Sequence, residues 1–450
     1  MDDQLLVRVY NVGLGDCIYL RVPDLKLQRN VHILVDCGNK FGSMDELEKC
    51  IADVKEHLPE AEAGKKRLDL LVVSHPHEDH HKGFEKEFFQ GIKIEHIWLS
   101  PAFDLENPQA KGFRALKSAA LRALKPLDGL SGLALEQMQP EIQELLSLSK
   151  SEAIEMLNDN LPNQNGIQPL YVTADTPEEQ LKIFDDPAIK LKVLGPMSDI
   201  DRYYVGGAGL MTPSGELTPD SLAERYQAIY PDPGSVEVKP PKNISSQDFK
   251  LLRGSIQASA LAAASVVGDA ENNLSAVLLL EWHGKRLLFS GDAEWKGAYA
   301  GAVQPGSSNG SWNVMWQERK ADLSQPLDFY KIGHHGSENA TPWKPPDPKS
   351  GKEHPINEIL NRLLPKPAEG EQPKAYAVAS TKRTSRWPSI PNAALLEEIG
   401  KRVANARTEY VEKKGKTSVK AHVPQPPRTD LERQLTHKPV PFIEICLDLP

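Results

Sequence analysis

The segment LLVVSHPHEDHHKG, residues 70–83, constrains this chain more than any other stretch. Leu70, Leu71, Val72 and Val73 form a short continuous apolar run, the pattern of a strand buried on both faces. Four of the 13 histidines, His75, His77, His80 and His81, follow within seven positions. The potential ligands therefore leave the carboxyl end of a strand, where open α/β sheets hold their ligands. Imidazole nitrogens and a carboxylate oxygen suit Zn²⁺ and similar divalent ions. The i, i+2 spacing lets His75 and His77 address one ion, and Asp79 and His80 can then serve a second. A solvated histidine loop is the bland alternative, and the density of histidines directly behind an apolar strand argues against it.

Three further segments place polar residues after apolar runs. HILVDCGN sets Asp36 at a strand end just before Gly38, where a simple turn aspartate is the alternative. LLFSGDAE brings Asp292 out after a strand and a Ser-Gly bend, on the same sheet edge as His75. The local alternative there is a cap on a helix beginning near Ala293, with Glu294 as a solvated first-turn residue. DFYKIGHHGS presents His334 and His335 directly after a short apolar strand, and Gly336 and Ser337 supply a tight turn. Sequence does not say which of the two histidines is the ligand.

Together with LLVRVYNVGLGDCIYLRVP near the N-terminus, these segments in this order resemble the metallo-β-lactamase fold hydrolases, and among them the ComEC-like hydrolase domain. The resemblance covers about residues 4–100 and 190–400. It implies an α/β fold, an αββα sandwich, with a helical insertion. It also implies two divalent ions, Zn²⁺ favoured and Mn²⁺ compatible, held by His75, His77, Asp79, His80, Asp292 and one of His334 and His335. Asp292 would bridge the ions, and Asp36 would orient a ligating histidine from behind. Asp79 and His335 are the candidate catalytic residues, the histidine not used as ligand serving the leaving group. Two positions depart from the pattern. Gly195 in KVLGPM stands where relatives supply a third histidine to the first metal, and Trp387-Pro388 stands where relatives carry His-Pro. Trp387 can stack on a base, and Lys382, Arg383 and Arg386 around it suit phosphate contacts. An ordinary solvated loop explains that cluster equally well.

At 450 residues the chain has material for more than one domain, although a sandwich of this kind can exceed 200 residues as one unit. Pattern changes divide it into a first half of the sandwich at 1–102, a helical insertion at 103–190, a second half at 191–405 and a C-terminal extension at 406–450. The amphipathic candidates AKGFRALKSAALRALKPL and PEIQELLSLSKSEAIEMLND define the insertion, the place to look for substrate access. About 200–270 reads as long loops. The four cysteines show no C-x-x-C pair and read as reduced, with Cys17 and Cys37 in the core. No run approaches about 18 apolar residues and the N-terminus has no signal pattern, so a cytoplasmic protein without membrane association or a translocation role is expected. The net charge of −9 confines any nucleic-acid contact to a local patch.

The leading functional expectation is metal-dependent hydrolysis of a phosphodiester, in DNA, RNA or a related substrate. A small-molecule ester, lactone or β-lactam hydrolase of the same fold is the second, since fold alone does not choose between them. The third is a partner-activated accessory subunit with little intrinsic catalysis. Soluble ComEC-like hydrolases with helical inserts resemble components of bacterial antiviral loci built around STAND NTPases, which implies protein partners in a defence complex.

Overall fold

The first hundred residues form strands β1 (Leu5–Tyr10), β2 (Cys17–Asp24), β3 (Arg29–Cys37), β4 (Leu70–Val73) and β5 (Ile97–Leu99), with helix α1 (Met44–His57) between β3 and β4. A four-residue helix, α2 (Glu78–His81), follows β4. Further along come β6 (Leu170–Tyr171), β7 (Ile189–Gly195), β8 (Val277–Trp282), β9 (Lys285–Phe289), helix α3 (Ser311–Glu318), β10 (Phe329–Lys331), helix α4 (Asn357–Leu363) and β11 (Tyr376–Val378). Helix α5 (Ala393–Gly400), the hairpin β12 (Ala406–Lys413) and β13 (Thr417–Pro424), and β14 (Phe442–Leu447) complete the chain. The fold is mixed α/β. This computed structural model describes residues 3–40, 42–104, 152–205, 270–297, 308–381, 390–413, 417–424 and 442–449, with short pieces at 106–107, 113, 117, 210–212, 215–217, 245–249, 251, 267–268 and 303.

One sheet runs β14-β1-β2-β3-β4-β5-β6, and a second runs β11-β10-β9-β8-β7. In each sheet an antiparallel portion gives way to parallel strands: β3-β4-β5-β6 in the first, β9-β10-β11 in the second. Period-two alternation explains the layering. Leu5, Val7 and Val9 of β1, Ile18, Leu20 and Val22 of β2, and Leu278, Leu280 and Trp282 of β8 share one core, so the inner faces of the two sheets pack together. The intervening residues turn outward. Leu6, Tyr10, Tyr19 and Leu34 meet Leu47, Ile51 and Val54 of α1. Val277, Leu279, Leu288 and Tyr330 meet Trp312 and Met315 of α3, Leu360 of α4 and Ile399 of α5. Strands covered on both faces read as continuous apolar runs, which is why LLVV at 70–73 carries no visible alternation. Each fully buried leucine or valine stabilises the fold by roughly 1.5–3 kcal/mol.

Several boundaries differ from expectation. KIEHIWLS, whose sequence reads as one strand, forms two short ones: Ile92–Ile94 pairs with Lys66–Leu68, while β5 joins the large sheet. The described end of the expected insertion is helical over 152–165, but β6 then pairs with β5 as an edge strand of the first sheet. The expected insertion helices before residue 151 lie almost wholly outside the described residues. The C-terminal segment is no appendage, because β14 pairs along the whole of β1, from Leu5 opposite Leu447 to Tyr10 opposite Phe442. Buried Arg8 reinforces that seam. Its guanidinium reaches Asp53 of α1 and Glu444 of β14, both at 2.5 Å, and lies 4.2 Å over the Phe442 ring. Cys17, Cys37 and Cys50 are buried free thiols, while Cys446 is exposed. No helix among the described residues is long and apolar enough to cross a membrane.

Candidate metal centre

The ends of the parallel strands from both sheets meet at one edge. The Ala276 N–H donates to the Ser74 carbonyl at 2.8 Å, joining the entry to β8 with the exit of β4. Asp16 N–H donates to the Asp79 carbonyl and Gly38 N–H to the Asp16 carbonyl, both at 2.9 Å, so the β1–β2 and β3 turns grip helix α2. Gly38 is required there by space: a Cβ would lie 2.5 Å from Asp79 and His80 backbone atoms. Backbone strain gathers at the same edge. Asp36, His334 and His335 have φ values of 57°, 38° and 53°, a region that L-residues adopt at a cost of about 1–3 kcal/mol and that clusters at functional sites.

Donor atoms of Asp79, His80, Asp292 and His335 all lie within 4.8 Å of one another, and all four residues are buried. His335 Nε2 is 2.7 Å from Asp79 Oδ2 and 3.9 Å from Asp292 Oδ2, and His80 Nε2 is 3.2 Å from Asp292 Oδ1. Beside them, His75 Nε2 lies 3.0 Å from His77 Nδ1 and 3.8 Å from Asp292 Oδ2. Two nitrogens on one tetrahedral Zn²⁺ would be about 3.4 Å apart, given Zn–N bonds of about 2.0–2.1 Å, so this pair is close to ligand spacing. Asp292 faces both groups, and Asp36 stands behind His80. Its Oδ2 is 2.8 Å from His80 Nδ1 and accepts from Ser74 Oγ at 2.7 Å, while its Oδ1 accepts from the Ser74 N–H at 2.6 Å.

The electrostatics follow from burial competing with close charges. Burial would push the Asp292 carboxyl up, but His80, His334 and His335 override it and hold it well below the usual range. Asp79 is likewise held well down, by His335 above all, against the effect of burial. Burial would lower His80, yet Asp292 and Asp36 raise it well above an ordinary histidine. Burial, with His80 and His77 adding to it, keeps His75 well below its ordinary value and therefore neutral, the state a ligand requires.

The donor set fits a divalent cation. Asp79 Oδ1 is buried and makes no hydrogen bond among the described residues, a costly arrangement unless a further group satisfies it. Carboxylate and imidazole donors in this proportion suit Zn²⁺ or Mn²⁺. These buried His and Asp groups can hold a metal ion.

Of the sequence candidates, His75, His77, Asp79, His80, Asp292 and His335 come together, with Asp36 behind them. His334 stands beside this group, a quarter exposed, its Nε2 3.9 Å from Asp292 Oδ2. Lys382, Arg383, Arg386 and Trp387 lie outside the described residues. Glu294 departs from expectation. No helix starts at Ala293; Glu294 is buried, and its Oε1 is 2.9 Å from His334 Nδ1. Gly195 ends β7 against Met315, where a Cβ would come 3.2 Å from the sulfur. Sequence reasoning missed Asp16, held by Lys331 Nζ at 2.9 Å and by Ser380, and Glu271, whose Oε2 is 3.4 Å from His77 Nε2. Asp16 carried a weak signal, a polar residue after GLG at a strand start. Glu271, in ENNLS, carried none.

No protein-family model matches the chain, and no curated protein matches it.

Proposed function

We propose that this chain is a metal-dependent hydrolase of the metallo-β-lactamase, ComEC-like type, acting on phosphodiester bonds. The observation that carries the reading is the buried quartet Asp79, His80, Asp292 and His335, with His75 and His77 against it. Two stacked sheets with helices on both outer faces agree with the αββα sandwich that the resemblance implies. His75, His77 and Asp292 would hold one ion, and Asp79, His80, Asp292 and His335 the other. When bound, such ions supply an activated water and neutralise charge on the phosphoryl oxygens.

The chain's own residues do the rest. Asp292, facing both histidine groups, sets their spacing. Asp79 accepts a hydrogen bond from the attacking water and so orients it. Asp36 and Ser74 fix the ring angle of His80. His334, backed by Glu294 and a quarter exposed, is placed to give a proton to the leaving oxygen. Lys40, half-buried, is close enough for its charge to act on Asp79.

The test is cleavage of labelled single-stranded DNA and RNA with Mn²⁺ or Zn²⁺ present. His77→Ala and Asp292→Ala are expected to lose at least about 100-fold in rate. Full activity in both variants would refute the reading, and cleavage of lactones but no phosphodiester would reassign the substrate. The antiviral context belongs to the same proposal: in an intact locus, these variants should lose phage protection.

A further inference from the structure

Three histidines at this edge have a carboxylate close to one ring nitrogen and the other nitrogen turned to the cluster. His80 Nδ1 meets Asp36 at 2.8 Å and its Nε2 faces Asp292. His334 Nδ1 meets Glu294 at 2.9 Å and its Nε2 faces Asp292. His77 has the opposite polarity: Nδ1 lies 3.0 Å from His75 Nε2, and Nε2 faces Glu271 at 3.4 Å. Neutral imidazole carries its proton on one nitrogen only, and the partner of that nitrogen decides which one is left as a lone pair. For His77 that partner is Glu271.

Glu271 is completely buried. A buried carboxylate costs several kcal/mol unless it is paired. One oxygen, Oε1, takes Lys117 Nζ at 2.5 Å; the other, Oε2, faces His77 Nε2 at 3.4 Å. Lys117 comes from the segment inserted between β5 and β6, which is tied down nearby by the Phe113 N–H donating to Asp201 Oδ1 at 3.0 Å. The side chain of Lys117 is itself mostly buried. An insertion that only shaped substrate access would have no reason to bury a cation on a carboxylate behind a ligand.

We propose that Lys117, Glu271 and His77 form a relay through which the insertion sets the metal-holding state of His77. Lys117 fixes the Glu271 carboxylate, Glu271 accepts the Nε2–H of His77, and His77 Nδ1 is left as a lone pair beside His75 Nε2. Glu271 and Lys117 are positioning residues, and the relay rests on the metal-hydrolase reading above. It also accounts for Gly195: where a third histidine is missing, the two that remain are held in the ligating state from behind.

The experiment uses the full chain labelled with ¹⁵N-histidine, stripped with chelator, and titrated with Zn²⁺ against a chromophoric competitor. In the metal-free wild type the ring spectrum should show His77 protonated on Nε2. Glu271→Gln, whose amide can donate to that nitrogen, should shift the tautomer and weaken one Zn²⁺ site by about 10–100-fold. Glu271→Asp should recover part of the loss, and Lys117→Met should weaken the same site by a smaller factor. Wild-type affinity and an unchanged His77 spectrum in Glu271→Gln would overturn the relay alone. A wild-type chain that takes up no Zn²⁺ would overturn the metal reading and the relay with it. Should Glu271→Gln fail to fold, Lys117→Met decides: unchanged affinity and tautomer there overturn the relay.

Discussion

Individual ionisable residues in this protein are governed by where they are buried, and the consequences reach beyond the His/Asp cluster. His32 on β3 is an example well away from it. Burial pushes its imidazole down from 6.5 to about 4, against the pull of Asp69, and its Nδ1 lies 2.7 Å from the Tyr19 hydroxyl. A histidine depressed in the folded state binds its proton more readily when unfolded. Its contribution is therefore complete above about pH 6.5 and is lost as pH falls towards 4. Between pH 6.5 and 4.5 the wild type should lose about 2–3 kcal/mol more stability than His32→Gln in urea unfolding. Equal losses would show that His32 is not the sensor. The same competition governs Asp292 and His80, but there the charges are close enough to defeat burial.

At the scale of elements, the site depends on how closely a strand end approaches a four-residue helix. Helix α2 is too short to hold itself in place, since isolated helices need roughly 12–15 residues. It is held by the hydrogen bond from the Asp16 N–H to the Asp79 carbonyl and by the absence of a side chain at Gly38. Gly38→Ala should therefore push Asp79 and His80 away from Asp292. We expect it to cost about 1–3 kcal/mol in stability, as overpacking does, and to lower metal affinity about tenfold or more. Thermal unfolding and a chelator competition read the two effects separately, and wild-type metal affinity in a folded Gly38→Ala chain would contradict this account of α2. The strands that carry these turns were legible from sequence because they are doubly buried and read as apolar runs: LLVV, HILV and RLLF. The choice between His334 and His335 was not. It is made by consecutive left-handed residues, which turn one ring to Asp79 and the other to Glu294.

The molecule as a whole draws its site from segments far apart in the chain, and this decides what a sequence can reveal. His75, His77, Asp79 and His80 are local and stood out together. Asp292 and the HHGS turn were recognisable because each follows its own strand. Asp16, Glu271 and Glu294 were not, because a buried carboxylate and a solvated one look alike until their partners are known. Glu271 meets His77 and Lys117 only once the sheets have stacked. Similarly, PFIEICLDL reads as a strand in sequence, but its place as β14 beside β1, with Arg8 linking it to α1, is set only in the fold. We propose that this edge is a metal centre built on Asp292. Elemental mass spectrometry of the full chain purified without chelator, wild type beside Asp292→Asn, tests it most directly. About two divalent ions per wild-type chain are expected, as a two-metal hydrolase requires, and clearly fewer in the variant. A wild-type chain without metal, or an Asp292→Asn chain that retains the full complement, would contradict it.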